Sequence, residues 1–239
     1  MLIRLDSVTK RFGALTVADG LSIGLAEGEA LGVLGPNGAG KSTMFNLITG
    51  GLRPDAGRIW FDGRDITGLA PHRRCRMGIS RSYQIPHPFA KMTVFENLLV
   101  AAAFGTGEPE RALHCHCGAV LERTGLLAKA NVPAGRLTLL ERKRLELARA
   151  LATRPRALLL DEIAGGLTEA ECHALVATIA AIRGEGVSII WIEHVVHALL
   201  SVVDRLIVIN FGQLLAEGAP DRVMADPKVR EVYMGISAE

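Results

Sequence analysis

Nine consecutive residues carry the clearest chemical signal of the chain: Gly35, Pro36, Asn37, Gly38, Ala39, Gly40, Lys41, Ser42 and Thr43. They fit the pattern G-x-x-x-x-G-K-[ST], in which glycines let successive backbone N–H groups close around phosphate. In this pattern the lysine reaches the β- and γ-phosphates, and the serine hydroxyl holds Mg²⁺. The sequence therefore predicts that these residues bind ATP or GTP, with Lys41 and Ser42 in those two roles.

The segments on either side of this phosphate loop support the prediction. Before it, the apolar run 30–34 is typical of a buried parallel strand. After it, residues 42–48 have the composition of a helix start, and a helix N-terminus contributes partial positive charge that favours phosphate. A strand, the loop and a helix in this order are the context that the pattern requires.

A second group of polar residues follows two other apolar runs. Asp161 and Glu162 come directly after the run 157–160, and His194 follows 187–193. With a phosphate loop upstream, the acidic pair is interpreted as an Mg²⁺-binding carboxylate, Asp161, and a base that polarises the attacking water, Glu162. Taken separately, an acidic pair is typical of a solvated strand end, and a histidine after a strand is usually structural.

Composition limits the class of protein and its location. The chain has 239 residues, 49% of them hydrophobic and only 5% aromatic, which suits an α/β protein with a substantial core. A net charge of +2 argues against a nucleic-acid partner. The longest apolar candidate for a membrane span, 198–215, contains Asp204, Arg205 and Asn210, and the N-terminus does not resemble a secretion signal. We therefore expect a cytoplasmic chain.

The cysteines are predicted to be reduced thiols in such a compartment. Two of the four lie in the sequence His-Cys-His-Cys at 114–117, residue types that can bind a soft metal. On a helix, however, residues two apart point to different faces, and the neighbouring sequence offers no second pair. We interpret 114–117 as an incidental surface stretch.

The order of patterns predicts how the chain is organised. Alternating residues at 2–5 and 21–25 indicate antiparallel strands around a turn region at 10–20, and 59–63 indicates a short hairpin edge. Helical patterns at 94–103, 111–124 and 142–152 are followed by strand patterns near 157–160, 187–192 and 206–209. We therefore predict one domain with an α/β core formed by 1–83 and 155–239 and a helical insert at 84–154.

Together these motifs make the chain similar, over nearly its whole length, to the nucleotide-binding subunits of ATP-binding cassette (ABC) transporters. The resemblance implies a P-loop NTPase (RecA-like) α/β core with an N-terminal antiparallel β subdomain and an inserted α-helical subdomain. It also implies that Phe12 stacks on adenine and that Gln84 links Mg²⁺ and the γ-phosphate to the transmembrane partner. Asp161 and Glu162 match the Walker B aspartate and catalytic glutamate, and His194 matches the switch histidine. The implied Mg²⁺ ligands are Ser42, Gln84 and Asp161.

Within that family the chain resembles the subunits of branched-chain amino-acid importers. The stretches that support this subfamily are 78–84, 92–99, 144–149, 192–194 and 232–235. Such a subunit would work at the cytoplasmic side of the inner membrane as a peripheral protein, with two transmembrane permease subunits, a second ABC ATPase and, indirectly, a periplasmic or extracellular solute-binding protein. Its cofactors would be ATP and Mg²⁺.

Three departures from the family pattern lie on the surface given to the partner ATPase. The chain has Leu-Thr-Leu-Leu-Glu at 137–141 in place of the Leu-Ser-Gly-Gly-Gln signature. Thr138 keeps a hydroxyl beside a helix N-terminus expected near Glu141, but both glycines are replaced. Ile163 and Thr168 stand where proline usually opens the interface loop and aspartate usually closes it. We therefore expect a heterodimer with a related ATPase rather than a homodimer.

Several alternative functions remain open at this point. An importer of urea, amides or another small solute would have the same motifs, because the ATPase does not touch the cargo. A soluble ABC ATPase is a second alternative, although such proteins usually have long inserts or two cassettes. A GTP-dependent switch would be supported by an Asn-Lys-x-Asp sequence, and the chain has none. A non-hydrolysing regulator would agree with the altered signature but not with the intact Asp161, Glu162 and His194.

Overall fold

The computed structural model describes residues 1–234 of the chain. Its strands, in chain order, are β1 (Ile3–Phe12), β2 (Leu15–Leu25), β3 (Ala30–Leu34), β4 (Ala56–Phe61), β5 (Arg64–Asp65), β6 (Ile79–Arg81), β7 (Ala157–Asp161), β8 (Ser188–Ile192), β9 (Arg205–Asn210) and β10 (Gln213–Gly218). Its α-helices are α1 (Lys41–Thr49), α2 (Pro71–Arg76), α3 (Val94–Thr106), α4 (Glu110–Arg123), α5 (Leu139–Ala152), α6 (Glu169–Gly184), α7 (Val196–Leu200), α8 (Pro220–Ala225) and α9 (Pro227–Met234).

The strands form two sheets. The antiparallel sheet has the order β2-β1-β4-β5, and the second sheet has the order β10-β9-β3-β8-β7-β6. In the second sheet β9, β3, β8, β7 and β6 are parallel, and β10 pairs antiparallel with β9 at the edge. The connections between consecutive parallel strands contain helices, as is usual for such crossovers.

The parallel sheet is buried on both faces, and its sequence explains why. In β7, Leu158 and Leu160 point into a core shared with residues of α3 to α6, such as Leu175. Leu159 points to the opposite face, into a second core shared with α1 and the antiparallel sheet, for example with Phe45. Because side chains alternate across a strand, a continuous apolar run fills both cores at once.

The parallel direction of the strands brings the predicted site residues to one edge. The phosphate loop follows β3, Asp161 ends β7, His194 follows β8, and Gln84 follows β6. The carboxyl ends of parallel strands meet at the same edge of a sheet, where ligands of open α/β sheets bind. The order β3-β8-β7-β6 therefore sets the lateral spacing of these groups.

A buried arginine binds the last turn of the helix that follows the phosphate loop. Arg74 of α2 is 1% exposed, and its Nη1 donates to the carbonyl oxygens of Leu47 (2.7 Å) and Ile48 (2.9 Å) in the last turn of α1. Its Nε and Nη2 donate to the carbonyls of Leu69 and Thr67, both at 3.0 Å. Burial lowers the pKa of this guanidinium to about 10. A cation at the C-terminus of a helix stabilises the helix dipole.

Two sequence predictions about element bounds are wrong. Residues 10–20 are not a turn region, because β1 and β2 continue through most of it and turn only at 13–14. Register shifts between Leu5 and Arg11 disrupt the side-chain alternation by which a strand is recognised in sequence. In addition, α5 begins at Leu139 and not near 141–142, because Thr138 caps it there.

The other predicted elements are present. The predicted hairpin at 59–63 is the β4–β5 pair, and the helical patterns at 94–103 and 111–124 correspond to α3 and α4. The strand patterns at 157–160, 187–192 and 206–209 correspond to β7, β8 and β9. The boundaries of the helical insert, 83/84 and 154/155, stay a prediction. No helix within residues 1–234 is long and apolar enough to cross a membrane.

Candidate nucleotide-binding and hydrolysis site

The phosphate loop encloses a cavity of about 190 Å³ at the edge of the parallel sheet. Residues 37–43 form most of its wall, and Val17 of β2 and Glu162 complete it. Helix α1 begins at Lys41, so its N-terminal N–H groups and the loop N–H groups face the same space. The cavity thus combines an anion-binding surface with a carboxylate at its margin.

Two glycines allow the loop to pack closely against neighbouring strands. A Cβ at Gly40 would lie 2.4 Å from the carbonyl oxygen of Val17, and one at Gly35 would lie 2.2 Å from that of Ile209. Both distances are shorter than any real Cβ contact, so a side chain at either position would displace backbone. Glycine is therefore required at these positions by packing as well as by the phosphate-binding conformation.

Lys41 and Ser42 lie at the start of α1, as the sequence predicts. The Lys41 ammonium donates to the carbonyl oxygens of Gly35 (2.7 Å) and Pro36 (3.0 Å), and the side chain is buried against the loop. Burial lowers the pKa of Lys41, while the charges of Glu162 and Asp161 act in the opposite direction. Ser42 is exposed on the cavity wall, where its hydroxyl is accessible to a ligand.

Asp161 ends β7 with its two carboxylate oxygens in different environments. Oδ2 accepts from Nη2 of Arg81 at 2.5 Å, in an ion pair whose side chains are 8% and 5% exposed. Oδ1 is buried and has no hydrogen-bond partner within the described residues. Burial raises the pKa of Asp161, and Arg81 opposes that shift. A buried carboxylate oxygen without a partner is an observation that fits an Mg²⁺ ion or its bound water at this place.

The structure brings Gln84, Glu162 and His194 together. Nε2 of His194 lies 2.9 Å from Oε1 of Glu162, and Nε2 of Gln84 donates to Oε2 at 2.5 Å. When the Glu162 carboxylate is ionised it can only accept, and Nε2 of His194 is then the donor of this contact. Both oxygens of Glu162 are therefore held by side chains that follow the two neighbours of β7 in the sheet.

The backbone at Glu162 is also fixed from several sides. Its φ of +47° lies in the left-handed region, which a residue other than glycine adopts only where its surroundings impose it. Buried Lys143 of α5 donates to the Glu162 carbonyl at 3.4 Å. Buried Glu193 accepts from the N–H groups of Ala164 and His194, both at 2.9 Å, and so ties the loops after β7 and β8 together.

Phe12 and Thr138 lie outside this group. Phe12 is 49% exposed at the end of β1, with the Lys10 ammonium 5.6 Å from its ring centre, and it is not part of the cavity wall. Thr138 is the N-cap of α5: its hydroxyl accepts from Glu141 N at 3.3 Å, and its own N–H donates to the Glu141 carboxylate at 2.9 Å. Leu139, the next residue, lines a separate cavity of about 290 Å³ together with Glu162.

The stretch 114–117 is divided among separate surroundings. His114 stacks edge-on against Phe95 with ring centres 5.4 Å apart, and His116 Nε2 lies 3.0 Å from the Ala152 carbonyl oxygen. Cys117 is fully buried in the core, whereas Cys115 is exposed, so the prediction that the whole stretch lies at the surface is wrong at Cys117. Within the described part of the chain no group of three or more His, Cys, Asp or Glu residues is arranged to hold a metal ion.

Sequence reasoning missed three residues that support the site: Arg81, Lys143 and Glu193. A charged residue in or beside an apolar run was the available signal for Arg81 at the end of β6 and for Glu193 after β8. Lys143 gives no such signal, because a lysine on an amphipathic helix is normally solvent-exposed.

A phosphate loop after β3, paired carboxylates after β7 and a histidine after β8 define an α/β nucleoside triphosphatase. The family comparison is more specific. Residues 18–165 match the family described as ABC transporter, and residues 213–239 match the one described as branched-chain amino acid ATP-binding cassette transporter. The chain therefore belongs to the ABC transporter family, as an ATP-binding cassette, and both the predicted fold class and the predicted family are confirmed.

Named relatives match almost the entire chain. The high-affinity branched-chain amino acid transport ATP-binding protein BraF of Pseudomonas aeruginosa is 38% identical, with 98% of each chain covered. The protein of the same description called LivG from Escherichia coli K12 is 36% identical, also with 98% of each covered. The crystal structure of the ADP conformation of MJ1267, an ATP-binding cassette of an ABC transporter, superposes with a TM-score of 0.90 at 33% identity, covering 98% of this chain and 99% of that one.

The stretch 232–235 that supported the subfamily extends beyond the described residues at Gly235. Its sequence nevertheless falls within the matched segment 213–239.

Proposed function

We propose that this chain is the ATP-hydrolysing subunit of an importer of branched-chain amino acids in the bacterial inner membrane. The observation that carries the hydrolytic part is the Glu162 carboxylate at the margin of the phosphate-loop cavity, held by His194 and Gln84. The names of the relatives support the cargo, because the ATPase itself contacts no amino acid in this proposal.

Each residue of the site has a role in this proposal. The N–H groups of the phosphate loop and of α1, together with Lys41, bind the phosphates of ATP. Ser42, Asp161 and Gln84 would hold Mg²⁺, which neutralises charge that develops on the phosphates. Glu162 takes the proton of the attacking water, and His194 keeps that carboxylate directed towards the cavity. Phe12 is proposed to stack on adenine.

The proposed permease contact is a groove beside the Gln84 segment. A cavity of about 210 Å³ lies between α2, β6 and α5, and Tyr83, Glu146 and Arg149 are part of its wall. Two apolar side chains at the groove are exposed: Tyr83 (53%) in its wall, and Phe89 (47%), which lies against Arg149. A groove with an apolar margin and a partly buried ion pair between Glu146 and Arg149 suits one short helix of a permease subunit.

The partner ATPase is proposed to be a different chain. At the N-terminus of α5 the Glu141 carboxylate accepts the Thr138 N–H and pairs with Lys129. This adds a negative charge where a neutral glutamine is usual, and Leu139 and Leu140 replace residues without side chains. Both changes weaken the surface offered to a partner's γ-phosphate, whereas the Walker residues of this chain are complete. A heterodimer joins that complete site to a partner's intact signature.

Two changes in the interface loop are less disruptive than the sequence suggests. Thr168, in place of the usual aspartate, still caps α6: its hydroxyl accepts from Glu171 N at 3.4 Å, and its N–H donates to Glu171 at 2.9 Å. Threonine and aspartate are both good N-cap residues. Ile163, in place of proline, is 1% exposed and contributes to the core.

The remaining parts of the proposal follow from transport. The subunit would lie at the cytoplasmic face of the membrane as a peripheral protein, without a nucleic-acid partner, and a solute-binding protein on the other side would select the cargo. The alternative cargo, urea, amides or another small solute, is not favoured by the relatives' names.

A test in the native cell separates these parts. The tagged chain is purified from detergent-solubilised membranes to identify its partners. Uptake of labelled leucine is measured in a strain from which the gene for this chain has been deleted. We expect two multi-span permeases and a second ATPase to co-purify, and wild type but not Lys41→Met to restore uptake. Recovery from the soluble fraction alone would contradict the transport function, and uptake of urea but not leucine would contradict the cargo.

A further inference from the structure

The guanidinium of Arg81 lies between the carboxylate proposed for Mg²⁺ and the helix that carries the phosphate loop. Nη2 donates to Asp161 Oδ2 at 2.5 Å, and Nη1 donates to Asn46 Oδ1 of α1 at 2.6 Å. The guanidinium carbon is 5.3 Å from the ring centre of Phe45 on the same helix. One planar group thus connects β6, β7 and α1.

Burial makes this arrangement costly to disturb. The Arg81 side chain is 8% exposed and that of Asp161 is 5% exposed. A buried carboxylate that loses its cation is strongly unfavourable and changes its charge or its orientation. The fork of a guanidinium can serve Asp161 and Asn46 simultaneously, which the single ammonium of a lysine does less well.

The consequence for Asp161 is a fixed division between its two oxygens. Oδ2 is used by Arg81, while Oδ1 is buried and unpartnered within the described residues. As long as Oδ2 is held, the carboxylate cannot rotate, and Oδ1 remains the oxygen available to a cation. An aspartate that is not held by such a contact would rotate freely and would lose this rotational freedom when the cation binds.

The same side chain reaches the groove proposed for the permease. The Arg81 guanidinium lies 5.0 Å from the ring centre of Tyr83, which is 53% exposed, and both residues line the 210 Å³ cavity. Arg81 is therefore in contact with groups on both sides: the Mg²⁺ carboxylate on one and the exposed wall of the groove on the other.

We propose that Arg81 is a positioning residue that orients Asp161 for Mg²⁺ and links this carboxylate to the Tyr83 wall of the groove. The proposal rests on the assignment of Asp161 to Mg²⁺ made under the proposed function. Arg81 itself touches neither nucleotide nor metal in this account. Its effect on hydrolysis is exerted through Asp161.

The test measures Mg²⁺ dependence of nucleotide binding, not turnover. The fluorescent nucleotide MANT-ATP is bound to the full chain in EDTA and then titrated with Mg²⁺. The quantity measured is the free Mg²⁺ concentration that produces half of the fluorescence change. We expect Arg81→Met to raise this concentration about tenfold and Arg81→Lys about threefold, with the affinity for MANT-ATP in EDTA unchanged. Asn46→Ala removes only the hydrogen bond between Arg81 and Asn46 and is expected to leave the Mg²⁺ titration near that of wild type.

Asp161→Asn and a double variant make the result specific. Asp161→Asn is expected to raise the Mg²⁺ requirement, and adding Arg81→Met to it is expected to cause no further change, because both act through one contact. Arg123→Met, which removes a surface ion pair with Glu185, is the control and should match wild type. Thermal unfolding confirms that each variant is folded. If Arg81→Met does not fold, Arg81→Lys is used in its place.

Four outcomes would overturn a part of the proposal or its basis. An unchanged Mg²⁺ requirement in both Arg81 variants, with Asp161→Asn altered, would refute the role of Arg81 alone. If the Arg81 variants also lost affinity for MANT-ATP in EDTA, to the same extent, Arg81 would have a general structural role instead. An unaltered titration in Asp161→Asn would refute the assignment of Asp161 itself. For the groove, Tyr83→Ala is expected to raise the Mg²⁺ requirement about twofold, and no change would refute that link.

Discussion

Nε2 of His194 lies 2.9 Å from Oε1 of Glu162, so the residues that follow two adjacent parallel strands meet in one contact at the cavity margin. Because Gln84 holds the other oxygen, the carboxylate is oriented before any water is placed. We propose a distinct role for each of the three side chains, and those of Glu162 and His194 can be tested separately.

Replacing Glu162 by glutamine is expected to reduce ATP hydrolysis by at least about 100-fold, because the amide cannot accept a proton from water. ATP binding should be kept, and in the assembled transporter the closed, ATP-bound state should accumulate. Phosphate release and retained radiolabelled ATP measure the two effects. Glu169→Gln on the exposed start of α6 is the matched control, and rapid turnover by Glu162→Gln would contradict the assignment.

His194→Ala is expected to slow hydrolysis by about 10- to 100-fold while ATP affinity changes little, since His194 contacts the carboxylate and not the phosphate loop. Single-turnover hydrolysis with the assembled complex separates the two quantities. His72→Ala, at an exposed position on α2, should behave as wild type. A loss of affinity equal to the loss of rate would argue for a structural role of His194.

Lys41→Met is expected to weaken ATP binding by at least about tenfold, because a charge-assisted contact with the phosphates is lost from a buried position. The carbonyls of Gly35 and Pro36 also lose their donor, which loosens the loop. Equilibrium binding of MANT-ATP measures the change, with Lys91→Met on the surface as control. Wild-type affinity in Lys41→Met would show that the phosphates bind elsewhere.

Restoring the signature is expected to increase turnover of the assembled transporter about threefold or more, if phosphate approach to α5 is limiting. The variant is Leu139→Gly, Leu140→Gly, Glu141→Gln, and its control is the double alanine variant at 139 and 140, which shortens the side chains but keeps each Cβ. The glycines cost helix stability of about 1 kcal/mol each, so folding is measured in parallel. Unchanged turnover in a folded complex would show that the altered signature is not limiting.

Arg74→Met is expected to lower the free energy of unfolding by about 3 kcal/mol, because four backbone carbonyl groups lose the hydrogen bond that the buried guanidinium donates to each of them. Urea unfolding of the isolated chain measures it. Arg73→Met, its exposed neighbour, is expected to change stability by no more than about 0.5 kcal/mol. A similar small change in Arg74→Met would contradict the role of Arg74 at the end of α1.

Local patterns were sufficient to predict most elements, whereas the roles of the Walker residues stay predictions. The run 157–160 and the phosphate loop can each be recognised from a few residues. Burial on both sheet faces and phosphate binding each restrict the residue types that are allowed. The start of α5 is also encoded locally, since Thr138 and Glu141 form a capping box of the type that marks a helix N-terminus.

Contacts between distant segments were not predictable in this way. Arg81 reaches Asp161 across 80 residues and Asn46 across 35, and nothing in the sequence near Arg81 specifies either partner. The irregular β1–β2 register and the fixed backbone of Glu162 depend in the same way on packing of the whole fold. The adenine contact of Phe12 and the partner's contact with Thr138 stay predictions.

The close fit of Gly40 beneath the Val17 carbonyl has a thermodynamic consequence for ligand capture. A loop clamped between β2 and the β9–β10 turn has few alternative shapes to give up when phosphate arrives, so little binding energy is spent on ordering it. Calorimetry of nucleotide association should therefore show a small entropic penalty from the loop, with most of the ordering already completed during folding.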